Sequence, residues 1–130
     1  MLRRLFLIIV LLLTASISAL AQYQKIQGSV EQGGNTVSTQ GVSSTTKGQK
    51  SFPSSTVTVY TAGTLNLATI YSDSAGTAKA NPFTADSSGY WFFYGAPGNF
   101  DVKFSGTGIS SPWTQGDYRI NATVSSSSAL

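Results

Sequence analysis

Apolar residues follow three rhythms along this chain. From Leu5 to Leu13 they are unbroken, from residue 22 to residue 50 they are sparse, and beyond Phe52 they alternate with polar residues. Alternation at period two is the mark of a strand with one buried face. Thr56–Tyr60 places Val57 and Val59 on one side, and Ala68–Ser72 has a similar pattern. Tyr90–Tyr94 is aromatic on both faces, as suits a central strand. Phe100, Val102 and Phe104 share a face opposite Asp101 and Lys103. Over 117–124 the residues Tyr118, Ile120, Ala122 and Val124 point inward and polar ones outward. No helical period appears after the first apolar run.

The connections carry turn chemistry. Asp73-Ser-Ala-Gly76 and Asp86-Ser-Ser-Gly89 each set an Asp at the turn start and a Gly where positive φ is needed. Gly95-Ala-Pro97-Gly98 predicts a tight hairpin between the aromatic strand and the next. Asn81-Pro82 predicts a break into extended chain. Short strands with Gly-rich turns give an all-β fold, a small antiparallel β-sandwich over 51–124. The polar stretch 22–50 offers too little apolar surface to offset the entropy of ordering, so it reads as a flexible spacer. Within it, Ile26 and Val30 could extend a sheet as a short strand. The serine-rich end, 125–130, reads as a tail.

The first 21 residues have the three parts of a secretory signal. Arg3 and Arg4 precede the apolar run, and Ala19 and Ala21 supply the small residues before a cleavage site after Ala21. Leu5 to Leu20 falls short of the roughly 20 apolar residues that span a bilayer. The expectation is an exported protein, periplasmic, on the outer surface or extracellular, with no membrane span once the leader is cleaved.

Charge and composition then narrow the function. The net charge of +3 comes from the leader and from Lys25, Lys47 and Lys50. Between residues 51 and 124, Lys79, Lys103 and Arg119 face Asp73, Asp86, Asp101 and Asp117. No basic stripe is left to bind phosphates, so nucleic acid is not an expected partner. The chain has no Cys and no His. It therefore lacks thiol chemistry, disulfides, the commonest metal ligand and the commonest base near neutral pH. Thirteen of its 15 aromatic residues lie between Phe52 and Tyr118, and their large buried areas compensate for a small core without staples.

The stretch from Thr84 through Asp86-Ser-Ser-Gly89, Tyr90-Trp-Phe-Phe-Tyr94, Pro97-Gly98 and Phe100-Asp-Val102 resembles the carboxypeptidase regulatory-like domains. Those domains join a D-x-x-G turn, an aromatic strand, a P-G turn and Y-x-V; here Phe100 stands where Tyr is usual. The resemblance implies a prealbumin-like (transthyretin-like) or Ig-like Greek-key sandwich. From Val57-Thr-Val-Tyr60 through Gly63-Thr64, Asn81-Pro82-Phe83-Thr84 and Phe104-Ser-Gly106, the chain also looks like modules of phage tail-fibre and collar proteins, and like short exported bacterial proteins. Neither likeness implies a catalytic residue.

Candidate chemistry is sparse. Asp73 and Asp86 are oxygen ligands of the kind calcium takes, but each loop has one carboxylate and neither has EF-hand spacing. They read as turn residues, and no metal or other cofactor is expected. Trp91 and Trp113, with Tyr90 and Tyr94 nearby, are candidate sugar-stacking residues; Pro112 and Gly116 predict a loop around Trp113. An isopeptide bond to Asn121 lacks a Lys on Thr56–Tyr60, and Glu31, the one Glu, falls in the spacer. Serines are abundant without a His or a G-x-S-x-G turn. The expected function is non-enzymatic: a structural, adhesion or assembly component of the envelope or extracellular space. Its expected partners are an envelope protein, a polysaccharide or another copy of itself through open strand edges. The alternatives are a carbohydrate-binding module and a phage-derived, tail-fibre-like module.

Overall fold

The computed structural model describes residues 22–39 and 42–122, with side chains for 22–33 and 49–122. The expected leader, with Ala19 and Ala21, and the expected tail over 125–130 lie outside the described residues. Among the described residues ten strands follow one another: β1 (Gln24–Ser29), β2 (Glu31–Thr39), β3 (Val42–Ser51), β4 (Thr56–Thr61), β5 (Ile70–Tyr71), β6 (Ala78–Lys79), β7 (Phe83–Thr84), β8 (Tyr90–Gly95), β9 (Gly98–Ser105) and β10 (Trp113–Ile120). The described residues are all-β and every pairing is antiparallel.

Two four-stranded sheets, in the orders β1-β8-β5-β6 and β10-β9-β4-β7, form the sandwich, and β2-β3 makes a separate two-stranded ribbon. The core lies between the sheets: Val30, Val57, Val59, Ile70, Trp91, Phe93, Phe100, Val102, Phe104 and Ile120 are buried together. Ring pairs tie one sheet to the other, with Trp91 5.6 Å from Phe104 and Phe93 5.5 Å from Phe100, centroid to centroid.

Within the expected spacer over 22–50, the short strand allowed at Ile26 and Val30 is present, and the rest departs from the expectation. The first part of the stretch is β1, an edge strand paired with β8 from Gln24↔Gly95 to Ser29↔Tyr90, and its remainder supplies β2 and β3. Composition understates β1 because an edge strand buries few side chains. Ile26 packs on the core and Val30 is fully buried. Val30 is also tied by its N–H to Gly89 O at 2.8 Å, while its own carbonyl accepts the Phe52 N–H at 2.9 Å.

Gly28 in this strand has a packing reason. It lies opposite Trp91, and a Cβ there would sit 2.9 Å from Trp91 Cζ2 and 3.2 Å from Cε2. The indole lies across the bare backbone of its neighbour, the way aromatic residues cover strand glycines. Gly28→Ala is expected to cost about 1–3 kcal/mol through overpacking, read as a lower midpoint of chemical denaturation; an unchanged midpoint would contradict this contact.

The Gly95–Gly98 connection is also corrected. β8 and β9 do not pair: β8 lies between β1 and β5, and β9 between β10 and β4. The short link through Ala96 and Pro97 is an arch from one sheet to the other, so the inward aromatics of each strand cover those of the other. Trp113 opens strand β10 rather than lying in a loop. A register shift between Gln115 and Tyr118 inserts one extra residue opposite Asp101. That bulge turns both Trp113 and Tyr118, five positions apart, toward the core, where Trp113 lies 5.4 Å from Phe104 and 5.6 Å from Phe52. The Asn81–Pro82 bond is cis.

Candidate functional site

β8 alternates strictly. Trp91, Phe93 and Gly95 face the core, and Tyr90, Phe92 and Tyr94 face outward, half-buried. The register adds the outer residues of the flanking strands: Lys25, Gln27 and Ser29 from β1 stand opposite Tyr94, Phe92 and Tyr90, and Tyr71 from β5 stands opposite Tyr94. Tyr23 stacks on Tyr71 with centroids 4.0 Å apart. Gly76 gives Tyr23 room, since a Cβ at that turn would come within 2.6 Å of the ring. One face of one sheet thus presents four tyrosines and a phenylalanine, with no large aliphatic side chain among them.

Two lysines from opposite edges of the sheet meet at the Phe92 ring, Lys25 from the outer face and Lys79 from the Ile70 side of β6. Lys25 Nζ, from β1, lies 4.8 Å from the centre of the Phe92 ring and 5.7 Å from that of Tyr90. Lys79 Nζ, from β6, lies 4.0 Å from both Phe92 and Phe83. β5 pairs with β8 at Tyr71↔Tyr94 alone, which leaves the Phe92 carbonyl open to accept a hydrogen bond from Lys79 Nζ. Ammonium groups over ring faces are attracted by the ring quadrupole. The hydrogen bond to Tyr90 raises the Lys25 ammonium above its ordinary range, whereas burial, then repulsion from Lys25, lowers that of Lys79. The Tyr90 hydroxyl donates to Gln27 Oε1 at 2.6 Å, and a hydrogen bond to Tyr23 raises the Tyr71 phenol.

The sequence-derived candidates fall elsewhere. Trp91 is 2 % exposed and offers no face to a ligand; its Nε1 has no hydrogen-bond partner. Trp113 is half-buried on the core edge. Tyr90 and Tyr94, named only as neighbours of the tryptophans, are on the exposed face. Lys25 and Tyr23 were hidden by their place in the polar stretch; the signal for them was the alternation of Lys25, Gln27 and Ser29 with Ile26 and Gly28.

Asp73 and Asp86 sit in two turns built alike. Asp73 Oδ1 accepts the N–H groups of Ala75 at 3.0 Å and Thr77 at 3.1 Å. Asp86 Oδ1 accepts from Ser88 N at 2.8 Å, Ser88 Oγ at 2.7 Å and Tyr90 N at 2.9 Å. Gly76 and Gly89 have φ of 92° and 86°, a region open to glycine. Hydrogen bonds to the ionised form, from Thr77 first for Asp73 and from Ser88 first for Asp86, hold both carboxyls below their ordinary range. A depressed native value means that the unfolded chain takes up protons first as pH falls. The stability these groups supply is therefore complete above the unfolded carboxylate range, near pH 4, and is lost below it as pH falls through the native values. The thermal midpoint is expected to drop on acidification through this window. The drop should be shallower in the double variant Asp73→Asn, Asp86→Asn; equal slopes would remove the two turns as its cause.

Asn81 and Pro82 lie beside β4, where the Asn81 side chain bonds to the backbone of Val59 and Ala68. Pro97 and Gly98 belong to the arch. Leu65 and Leu67, 88 % and 54 % exposed, project from the β4–β5 loop, which Asp101 anchors by accepting the Gly63 N–H at 2.8 Å. An open hollow of about 290 Å³ lies between Asn99, Asp117 and Arg119. Among the described residues no three His, Cys, Asp or Glu side chains gather. The outer face of β1-β8-β5-β6 thus gathers half-buried aromatic side chains and an exposed lysine on one surface. Comparison of the chain with protein-family models, with curated proteins and with solved structures gave no match.

Proposed function

We propose that this chain is an exported, non-catalytic β-sandwich module that works by contact, as an adhesion or assembly component of the cell envelope or extracellular space. The observation that carries this reading is the outer face of the first sheet, where Tyr23, Tyr71, Tyr90, Phe92 and Tyr94 are half-exposed and Lys25 and Lys79 lie against Phe92. A sheet face whose function is only to meet water needs no such row of aromatics, and contiguous exposed apolar surface marks interaction sites. Tyrosine suits a contact surface, because its ring buries area while its hydroxyl stays hydrogen-bonded.

Export by the leader and a prealbumin-like arrangement of the strands belong to the same proposal. The antiparallel sandwich and the D-x-x-G turn at Asp86–Gly89 support the second of these. The test is retention of native envelope material on the immobilised full chain, purified after export. The unaltered chain is expected to retain material that Tyr94→Ala does not. Equal retention by both, at equal thermal stability, would remove this face as the contact surface.

A further inference from the structure

The make-up of this face specifies a kind of ligand. It is a sheet surface rather than an enclosed cavity, which suits a polymer lying along it better than a small molecule that needs burial. Its apolar groups are rings with polar tips, and it lacks the Leu, Ile, Val or Met side chains that would favour an aliphatic protein surface. Aromatic rings accept the C–H faces of pyranose sugars, and the hydroxyls around such faces match Gln27, Ser29 and the tyrosine O–H groups. Charge adds the last element. Two ammonium groups from opposite edge strands lie within 5 Å of the centre of one Phe92 ring. No carboxylate contributes to the electrostatic surroundings of either lysine, and the one charge that Lys79 senses is Lys25. The positive charge on this face has no counter-charge from the described residues.

We propose that the outer face of the β1-β8-β5-β6 sheet binds an acidic polysaccharide, a chain bearing uronate or sulfate groups. Sugar rings lie over Tyr90 and Tyr94, and the acidic groups meet the exposed Lys25 ammonium. This rests on the reading of that face as the contact surface and specifies what it contacts. The Lys25 ammonium, held over Phe92 and Tyr90, is the exposed one of the pair and makes the first contact. Lys79, half-buried and bonded to the Phe92 carbonyl, is the fixed one.

The experiment measures binding of the full chain, purified after export, to polygalacturonate and to neutral dextran of similar length, at low and high salt. Polygalacturonate is expected to bind and dextran to bind at least about tenfold more weakly, with raised salt weakening the acidic polymer because exposed charge contacts are screened. Lys25→Gln, which keeps much of the stem, is expected to weaken polygalacturonate about threefold, the scale of one exposed charge contact. Tyr94→Ala is expected to weaken it roughly tenfold, the upper scale of a lost aromatic contact. Thermal midpoints of both variants, measured alongside, separate a lost contact from a lost fold. Equal binding of the two polymers, or full affinity in Lys25→Gln, would overturn the acidic class. If neither polymer binds while Tyr94→Ala still loses retention of envelope material, the polysaccharide proposal fails and the contact surface stands. If that retention is also unaffected, both fail.

Discussion

A chain that starts at Ser51 is expected to show no cooperative unfolding transition, whereas one that starts at Gln22 melts cooperatively. The shorter chain contains nearly every aromatic residue, so its failure would come from the loss of β1. Without β1, the six-residue pairing along β8 is gone, and the edge of the aromatic strand is bared. Trp91 loses the Gly28 backbone on which its indole lies. Fully buried Val30 leaves the core, taking away roughly 1.5–3 kcal/mol of apolar burial, and half-buried Ile26 takes away less. The Val30 carbonyl no longer accepts the Phe52 N–H, nor its N–H meets Gly89 O. For a small domain with total stability on the order of 5–15 kcal/mol, losses of this size suffice to unfold it. Circular dichroism and tryptophan emission during a thermal melt provide the check. A midpoint for the shorter chain within a few degrees of the longer one would show that β1 is an accessory strand.

Asn81→Ala is the second large effect, expected to lower stability by about 2–4 kcal/mol through orphaned backbone groups. β7 pairs with β4 only at Thr56 and Val57, so Val59, on the same edge, has no strand neighbour there. The Asn81 amide takes that place. Its Oδ1 accepts the Val59 N–H at 3.0 Å, and its Nδ2 donates to Val59 O at 2.7 Å and to Ala68 O at 2.8 Å. The Val59 carbonyl keeps a second donor, Ala68 N at 3.0 Å. The Val59 N–H has no such substitute and belongs to a fully buried residue, so its desolvation is uncompensated in the variant. Asn81→Asp retains the acceptor and loses both donor bonds. Its second oxygen then faces the Val59 and Ala68 carbonyls, a repulsion that Asn81→Ala lacks. Asn81→Asp is therefore expected to be no more stable than Asn81→Ala at neutral pH by denaturant titration. Equal stability of all three would show that water replaces the amide at no cost.

Several features of this protein could be read directly from residues. The faces of β4, β8 and β9 follow from Val57 and Val59, from Trp91 and Phe93, and from Phe100, Val102 and Phe104, because side chains of a pleated strand alternate. The Asp-led turns follow in the same way, since an Asx carboxylate bonds to backbone only two to four residues ahead. The arch at Ala96-Pro97 had a local signal as well. A two-residue hairpin favours positive φ at its first central position or at both, usually with Gly or Asn, and proline cannot adopt it. β10 was harder, because one inserted residue at Gly116-Asp117 breaks the period between Trp113 and Tyr118. The candidate site was half legible: Tyr90 and Tyr94 were visible beside the tryptophans, but their position outside the core was not.

The sequence by itself determined the strands β4, β8 and β9 and which residues of each share a side. Both are local consequences of backbone geometry, set within five or six residues. Only the tertiary structure decided which strands are neighbours. Pairing joins backbones whose N–H and C=O groups are chemically alike, so the choice depends on shape over long separations: Gly28 admits Trp91, and Phe93 covers Phe100. The same choice made the aromatic face. Tyr90, Phe92 and Tyr94 alternate with core residues whatever β8 pairs with. Placing β1 and β6 at the edges of that sheet is what brought Lys25 and Lys79 against Phe92.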